Sequence, residues 1–325
     1  MNKTQLVLIL IFFLLSCSQN ENNDNTIPTV KTQNTYNVLV QEDIIYGQGL
    51  THDNFGSPNF EEVDLKLDIY LPENNLKNRP LFFFIHGGGF SSGSKQQEQI
   101  VDMANFYASR GWVFVSIDYR LQGQFGTVPQ EWLNFSLNLS KEERQQFLAI
   151  YPAIRDSKAA LRWVIANADA YGINTNFITV GGGSAGAITA IAIGISNPED
   201  FKDELNKTID PSLPSTNLSE SYKIKSIIDF WGSKIALDIL EEIYGHQRFD
   251  ANDPPIFIAH GTADPIVPFS NAEDLKSIYE MNNIPFDFFP AENAGHSIWG
   301  KTFENKTLSE LTFEFITEKQ NINVE

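Results

Sequence analysis

Cysteine is nearly absent from this sequence of 325 residues, which contains only one. A single thiol cannot form a disulfide within the chain, so the fold has no cross-link of that kind. Basic residues are also scarce: 23 Lys and Arg stand against 41 Asp and Glu, a formal net charge of −18. Because no basic stripe is available to neutralise phosphates, the composition argues against a nucleic-acid partner, and we interpret the charge as a solvated acidic surface.

The longest apolar run lies at the N-terminus. Residues 6–15, LVLILIFFLL, follow Lys3 and are too few to span a bilayer comfortably, but they suit the apolar region of a secretory signal. The run ends in Leu14-Leu15-Ser16-Cys17, which resembles the lipobox of bacterial lipoproteins, where the peptide is cut before a cysteine that carries lipid. We predict a signal peptide over 1–16 and a lipid on Cys17. Ordinary signal cleavage with an incidental cysteine is the alternative.

These features predict an exported bacterial lipoprotein, held on a membrane at the periplasmic or cell-surface side. Residues 17–33 are polar and rich in Asn, which is typical of a flexible tether between the anchor and a folded domain. The rest, residues 34–325, has the apolar content of a globular protein and shows no internal repeat, so we predict a single domain. The oligomeric state does not follow from the sequence.

Strand and helix patterns alternate along the predicted domain. Residues 63–71 alternate apolar and polar side chains, as a half-exposed antiparallel strand does. Later strands are short and apolar throughout, which suits a parallel sheet covered on both faces: 80–85, 112–117, 177–180, 224–230, 255–259 and 285–289. Helical patterns lie between them, at 96–110, 153–171, 271–282 and 307–319. The alternation predicts a three-layer α/β sandwich around a mostly parallel sheet with an antiparallel N-terminal edge.

A serine surrounded by glycines follows one of these strands. Residues 182–186 read GGSAG, a G-x-S-x-G pattern between a strand and a helix of small residues. In this context the serine lies on a sharp turn, and the glycines leave room for it. The turn would expose the Ser184 hydroxyl and aim unpaired N–H groups of the helix at a developing anion. A glycine-rich loop that only turns the chain, or one that binds phosphate, is the weaker interpretation, and no lysine follows as in a P-loop.

A serine nucleophile needs a base, and the base needs an acid to orient it. Asp264 follows the strand 255–259, and His296 follows the last strand, behind a glycine. The order Ser184, Asp264, His296 is the one expected of an α/β-hydrolase. Of the other histidines, His260 is predicted to be structural because it ends a buried strand.

A third glycine-rich segment completes the predicted site. Residues 86–89, HGGG, end the strand 80–85, and glycine amides there can approach an oxyanion because no side chain blocks them. Together with the amide of Ala185 they would supply two or three donors. His86 itself is predicted to orient the loop.

Residues 45–320 resemble the α/β-hydrolase superfamily, specifically carboxylesterases of the hormone-sensitive-lipase-like or related acetylesterase groups. The matching segments are HGGGF at 86–90, DYRL at 118–121, residues 155–187, HGTADPIVP at 260–268 and AGH at 294–296. The resemblance implies Ser184 as nucleophile, Asp264 as orienting acid and His296 as general base and acid. It also implies Gly88, Gly89 and Ala185 as oxyanion donors, and a supporting structural role for Asp118 and Arg120.

Two segments depart from the family pattern. Residues 121–151 form an insertion in place of the usual Ala-Pro-Glu, and its residues Phe125, Trp132, Phe135 and Leu139 are predicted either to form a lid or acyl pocket or to pack among themselves. Residues 197–222 are a polar excursion and a second candidate for the rim of the site.

The sequence therefore predicts a serine esterase that hydrolyses short-chain esters, including acetyl or aryl esters of carbohydrates, through an acyl-enzyme. No cofactor is expected, and no His/Asp or Cys/His cluster suggests a metal. Two alternatives stay open: a serine peptidase of the prolyl-oligopeptidase type, which lacks its usual β-propeller here, and a non-catalytic binding lipoprotein on a hydrolase fold.

Overall fold

An eight-stranded sheet organises the part of the chain that the structure, a computed structural model, describes: residues 26–325. The predicted signal peptide and the predicted lipid on Cys17 lie outside the described residues. The strands within 26–325 are β1 Thr29–Val30, β2 Val38–His52, β3 Phe60–Pro72, β4 Arg79–Ile85, β5 Val113–Ile117, β6 Ile173–Gly183, β7 Ser226–Phe230, β8 Ile256–Gly261, β9 Phe286–Ala291, β10 Thr302–Phe303, β11 Lys306–Thr307 and β12 Asn323–Val324.

The order of strands in the sheet is β2-β3-β5-β4-β6-β7-β8-β9. The strands from β5 to β9 are parallel, and β2 and β3 form an antiparallel edge. The division follows the side chains: every residue of β4, β5, β7 and β8 is buried, whereas the first half of β2 faces solvent. The predicted fold class, with its antiparallel N-terminal edge, is confirmed.

Helices cover both faces of the sheet. α1 and α8 pack on one face, around Phe82, Phe84 and Phe114. α3, α5, α6 and α7 contribute to the core on the other face. This gives the three layers that the sequence predicts. The α-helices within 26–325 are α1 Glu98–Ala108, α2 Gln130–Ser136, α3 Lys141–Ala166, α4 Ala168–Tyr171, α5 Ala185–Ile195, α6 Ile235–Tyr244, α7 Ser270–Asn282 and α8 Leu308–Lys319.

The folded domain begins before residue 34, earlier than predicted. Within the segment assigned to a tether, Thr29–Val30 forms β1 and pairs in parallel with β12 at the C-terminus. The Val30 side chain is fully buried. The polar composition of the segment concealed this contact, because the partner strand lies about 290 residues away and local sequence does not reveal it. The prediction of a tether is therefore wrong for its last residues.

The insertion at 121–151 packs against the body of the protein. Its first part contains α2, and its second part is the start of α3, which begins at Lys141, well before the predicted helix at 153–171. Trp132 is fully buried and packs against the rings of Phe147, Tyr151 and Phe201 in tilted or edge-to-face contacts. The apolar side chains of the insertion thus form part of the core.

No helix within 26–325 is long and apolar enough to cross a bilayer.

Candidate active site

The candidate site lies at the carboxyl edge of the parallel strands, where α/β folds bind ligands. Ser184 occupies the single position between β6 and α5, with φ 55° and ψ −120°, a strained conformation for a residue with a side chain. Its N–H donates to the carbonyl of Phe230 at 2.9 Å, which ties the turn to β7. A Cβ at Gly186 would lie 2.0 Å from the carbonyl oxygen of Ile85, so only glycine fits where α5 passes β4.

His296 and Asp264 come from the loops that follow β9 and β8. Backbone hydrogen bonds join these loops, from Thr262 N to Ala291 O at 3.0 Å and from Ala263 N to Ala294 O at 2.9 Å. His296 Nε2 lies 2.9 Å from Ser184 Oγ, and its Nδ1 lies 2.7 Å from Asp264 Oδ2. Two loops that are distant in sequence therefore form one unit that presents an acid–base pair to the serine.

The hydrogen bonds fix the roles of the imidazole nitrogens. The Asp264 carboxylate accepts from Ile266 N at 2.8 Å and Val267 N at 3.1 Å, both at Oδ1, so Oδ2 faces the ring. A proton on Nδ1 is donated to this oxygen, which leaves Nε2 to accept from the serine hydroxyl. The Asp264 side chain is fully buried, whereas His296 is 16% exposed, which lets the ring reach a bound ligand.

A second histidine stands behind the acid. His260 Nε2 lies 2.8 Å from Val267 O and 3.3 Å from Asp264 Oδ2, and its side chain is fully buried. Burial lowers the pKa of His260, so the ring is neutral and Nε2 carries the proton. The structural role predicted for His260 is therefore to hold the loop that carries Asp264.

The glycine-rich loop after β4 turns sharply beside Ser184. Gly88 has φ +115°, and a Cβ there would lie 2.1 Å from Ser92 O, so no other residue fits. Within 26–325 the amides of Gly88 and Gly89 donate to no protein acceptor. The amide of Ala185, at the first position of α5, precedes the helical hydrogen-bond ladder. Of the three predicted donors, Gly88 and Gly89 line the cavity beside Ser184, and Ala185 is the first residue of α5, which Ser184 precedes.

Side chains that do not line the cavity hold this loop from below. His86 Nδ1 lies 2.7 Å from Gly87 O, and the His86 ring stacks on Tyr119 at 4.2 Å. Asp118 accepts from Lys95 N at 2.8 Å. Arg120 donates to Asp156 through Nε at 2.9 Å and Nη2 at 2.6 Å. His86, Asp118 and Arg120 therefore contact the framework under the site rather than the space above Ser184, as predicted.

A cavity of about 580 Å³ opens above Ser184. One wall is aromatic: Trp231 and Trp299 meet edge to face at 5.3 Å, and Trp231 lies 6.3 Å from the His296 ring. Gln97, Glu98 and Gln99 also line this cavity and give it a polar part. Neither group was predicted from the sequence, although their positions just after β7, just after His296 and at the start of α1 place them at the carboxyl edge of the sheet.

Two predicted rim segments do not reach this cavity. None of the residues 121–151 lines it, and their nearest contact is a hydrogen bond from Gln146 Nε2 to Gly89 O at 3.3 Å. The prediction that residues 197–222 form part of the rim is wrong. None of these residues lines the cavity: both ends of the segment line a separate cavity near the C-terminal end of α5, and Ser215, in its middle, accepts a hydrogen bond from Gln48 N of β2.

Comparison with known proteins yields consistent matches. A model of the carboxylesterase family matches residues 16–212. Esterase LipC of Mycobacterium tuberculosis is 24% identical over 238 residues, which cover 68% of this chain and 53% of that protein. The chain thus spans about half the length of the curated mycobacterial relatives it matches.

Solved structures agree over more of the chain. An esterase of Thermogutta terrifontis with propionate bound has 25% identity and a TM-score of 0.59, covering 85% of this chain and 93% of its own. Esterase 2 of the same organism, phosphorylated by paraoxon, has 26% identity and a TM-score of 0.60, with 86% and 94% covered.

Proposed function

Because the chain belongs to the carboxylesterase family, we propose that it is a serine carboxylesterase that hydrolyses esters of short-chain acids. One observation carries the proposal: Ser184 Oγ, the two nitrogens of His296 and the Asp264 carboxylate form a continuous hydrogen-bonded series. Free amides of Gly88 and Gly89 adjoin the serine. A nucleophile, its base and donors for an oxyanion are the parts that acyl transfer requires.

The reaction follows from these positions. Ser184 Oγ attacks the ester carbonyl as His296 Nε2 accepts its proton, and Asp264 stabilises the resulting imidazolium. The oxyanion accepts hydrogen bonds from the amides of Gly88, Gly89 and Ala185. The alcohol leaves with the proton from His296, which forms the acyl-enzyme. Water then attacks the acyl-enzyme with His296 again as base, and the acid leaves.

The aromatic wall supports the preference for a short acyl group. Trp231 is 2% exposed and packs on Phe230 and Trp299, so it has no space to move away from a long chain. A fixed wall close to the nucleophile accepts a small acyl group and excludes a long one. The propionate bound to the related T. terrifontis esterase agrees with this size.

The polar side of the cavity supports a carbohydrate alcohol. Gln97 and Gln99 carry amides that can donate to and accept from sugar hydroxyls, and Glu98 can accept from them. A saccharide esterified with acetic acid or an aromatic acid would place its acyl group against the tryptophans and its sugar along these polar residues.

The test is a panel of p-nitrophenyl esters from acetate to octanoate, with an acetylated saccharide and a proline-containing amide as further substrates. We expect kcat/KM to fall at least about tenfold from butyrate to octanoate. Labelling by a fluorophosphonate should occur in the native protein and not in Ser184→Ala. Hydrolysis of the amide faster than of the esters would reverse the assignment in favour of a peptidase, and no labelling would favour a non-catalytic protein.

We also propose that the protein is an exported lipoprotein with lipid on Cys17. The support is the segment Leu14-Leu15-Ser16-Cys17 after an apolar run. The eight residues between Cys17 and Thr26 let the two ends lie at most about 30 Å apart, so the domain would stay close to the membrane. Cys17→Ala should move the protein from the detergent phase to the aqueous phase in a phase-separation assay, and retention in detergent would contradict the proposal.

A further inference from the structure

A second cavity, of about 340 Å³, lies at the edge of the sheet opposite Ser184. Its walls include Ile224, just before β7, Pro254, just before β8, and the C-terminal end of α5. Since α5 starts beside Ser184 and has 11 residues, its length separates the two cavities by about 16 Å. We call this space the amino-edge cavity.

Arg162 of α3 lines the amino-edge cavity with an incompletely paired charge. The residue is 3% exposed, and its Nε donates to Thr216 O at 2.9 Å. Within 26–325 its two terminal nitrogens make no hydrogen bond, and no carboxylate oxygen lies within 4.0 Å of the group. Other buried guanidinium groups show what is missing: Arg120 donates to Asp156 and Arg248 to Asp200.

A second donor lies beside this guanidinium. The Tyr222 hydroxyl is buried, and within the described part of the chain it has no hydrogen-bond partner. Burial raises the pKa of Tyr222 while the nearby charge of Arg162 acts in the opposite direction, so the hydroxyl keeps its proton at neutral pH. A buried donor that lacks an acceptor costs about 1–3 kcal/mol. Arg162 and Tyr222 both line this cavity, and each has a donor group without an acceptor, which favours a ligand that only accepts.

The remaining charges around the amino-edge cavity favour an anion. Lys158 also lines it, although its ammonium is used by Ser196 Oγ, Asn197 O and Asp200 O at 3.1, 2.8 and 2.7 Å, where it holds the end of α5. Lys223 adds a cation, Lys202 adds one that lies 3.4 Å from the Asp203 carboxylate, and Glu220 and Asp253 add two carboxyl groups. Burial raises the pKa of Asp253 to about 7, so its opposition to an anion is partial at neutral pH.

We propose that the amino-edge cavity binds a small oxyanion, a carboxylate or a phosphate group, held by the terminal nitrogens of Arg162 and the Tyr222 hydroxyl. The planar guanidinium presents two parallel N–H groups, which match two oxygens of either anion. The adjacent ammonium of Lys158 adds attraction without needing to move. The proposal does not rest on the esterase assignment, because none of these residues lines the cavity above Ser184.

The test is calorimetric titration of the full-length protein with inorganic phosphate and, separately, with acetate, against chloride at equal ionic strength. We expect saturable binding of at least one oxyanion, and binding of phosphate alone or acetate alone identifies which class the cavity takes. Ser184→Ala should bind phosphate equally well, because Ser184 does not line this cavity. Arg162→Gln should weaken binding about tenfold or more.

Matched variants keep the result decisive. Lys207→Gln removes the same charge from an exposed position outside the cavity and should leave the affinity unchanged. If Arg162→Gln does not fold, Tyr222→Phe keeps the ring and removes only the hydroxyl, and it should weaken binding severalfold. No saturable binding of either anion, or equal affinities in the native protein and the cavity variants, would overturn the proposal.

Discussion

The ends of the neighbouring strands β7 and β8 each carry a buried carboxyl group in a different environment. Asp264, after β8, accepts two backbone N–H bonds and one from His296. Asp229, in β7, accepts one bond, from Gly232 N at 2.7 Å, and its Oδ2 has no partner within the described residues. Burial raises the pKa of Asp229 to about 7.

Burial alone therefore does not make a carboxyl group useful for orienting a base. Two amides of the loop after β8 donate to the Asp264 carboxylate, whereas the Asp229 carboxyl group accepts a single hydrogen bond. The end of β7 contributes packing instead, because Phe230 and Trp231 build the aromatic wall of the cavity. The end of β8 thus supplies the carboxylate that orients His296, and the end of β7 supplies the aromatic wall.

The largest test of this contrast is Asp264→Asn beside Asp229→Asn. An amide at 264 would favour the wrong tautomer of His296, and we expect kcat to fall by about 10⁴. The same exchange at 229 is the matched control, since it replaces an equally buried carboxyl group, and its kcat should stay within about threefold. Similar losses in both variants would abolish the distinction.

The second test is the dependence of stability on pH. Because the pKa of Asp229 is raised in the folded state, the folded protein keeps this proton at pH values where the unfolded chain has lost it. The free energy of unfolding therefore falls as pH rises from about 4 to about 7. Across that window, Asp229 should lower the free energy of unfolding by up to about 1.4 kcal/mol per pH unit. Asp229→Asn resembles the protonated form and should be more stable than the native protein at pH 8, by urea titration, with little difference at pH 4. A larger difference at pH 4 than at pH 8 would contradict the assignment.

The third test alters the aromatic wall that rests on β7. Trp299→Ala should open the acyl side and raise kcat/KM for octanoyl relative to acetyl esters by about tenfold, at little cost to acetate. Trp163→Ala is the matched control, because Trp163 is a partly buried tryptophan of α3 that packs on Tyr171 away from the cavity. An unchanged ratio in Trp299→Ala would show that the wall does not set acyl length.

The smallest effect concerns the support behind Asp264. His260→Phe removes the proton shared by Val267 O and the carboxylate. We expect kcat to fall by about tenfold or less, and stability by about 1–3 kcal/mol, since a buried carbonyl loses its donor. His260→Gln can restore a donor, so it should recover part of the lost kcat and part of the lost stability, the latter measured by urea unfolding. Equal behaviour of the two variants would argue against this role.

Local patterns predicted the elements with strong periodicity. Buried strands such as β4 and β7 and helices such as α7 lie within a few residues of their predicted ranges. Sequence analysis did not assign β2, because this edge strand is mostly polar in its first half and contains bulges near Gln41 and Ile45, which break the alternation. It began α3 too late, since Pro152 lies inside the helix and local rules treat proline as a boundary.

By itself, the sequence determined the chemistry available to this protein: a serine on a glycine-flanked turn, a later aspartate and histidine after strands, and a loop of small residues. These features are local, because backbone conformation and residue type follow from near neighbours. The tertiary structure alone decided that Trp231 and Trp299 line the cavity above Ser184, that Asp264 has donors which Asp229 lacks, and that the terminal nitrogens of Arg162 have no acceptor within the described residues. Donor supply and packing space depend on segments far apart in the chain, so they exist only after those segments meet.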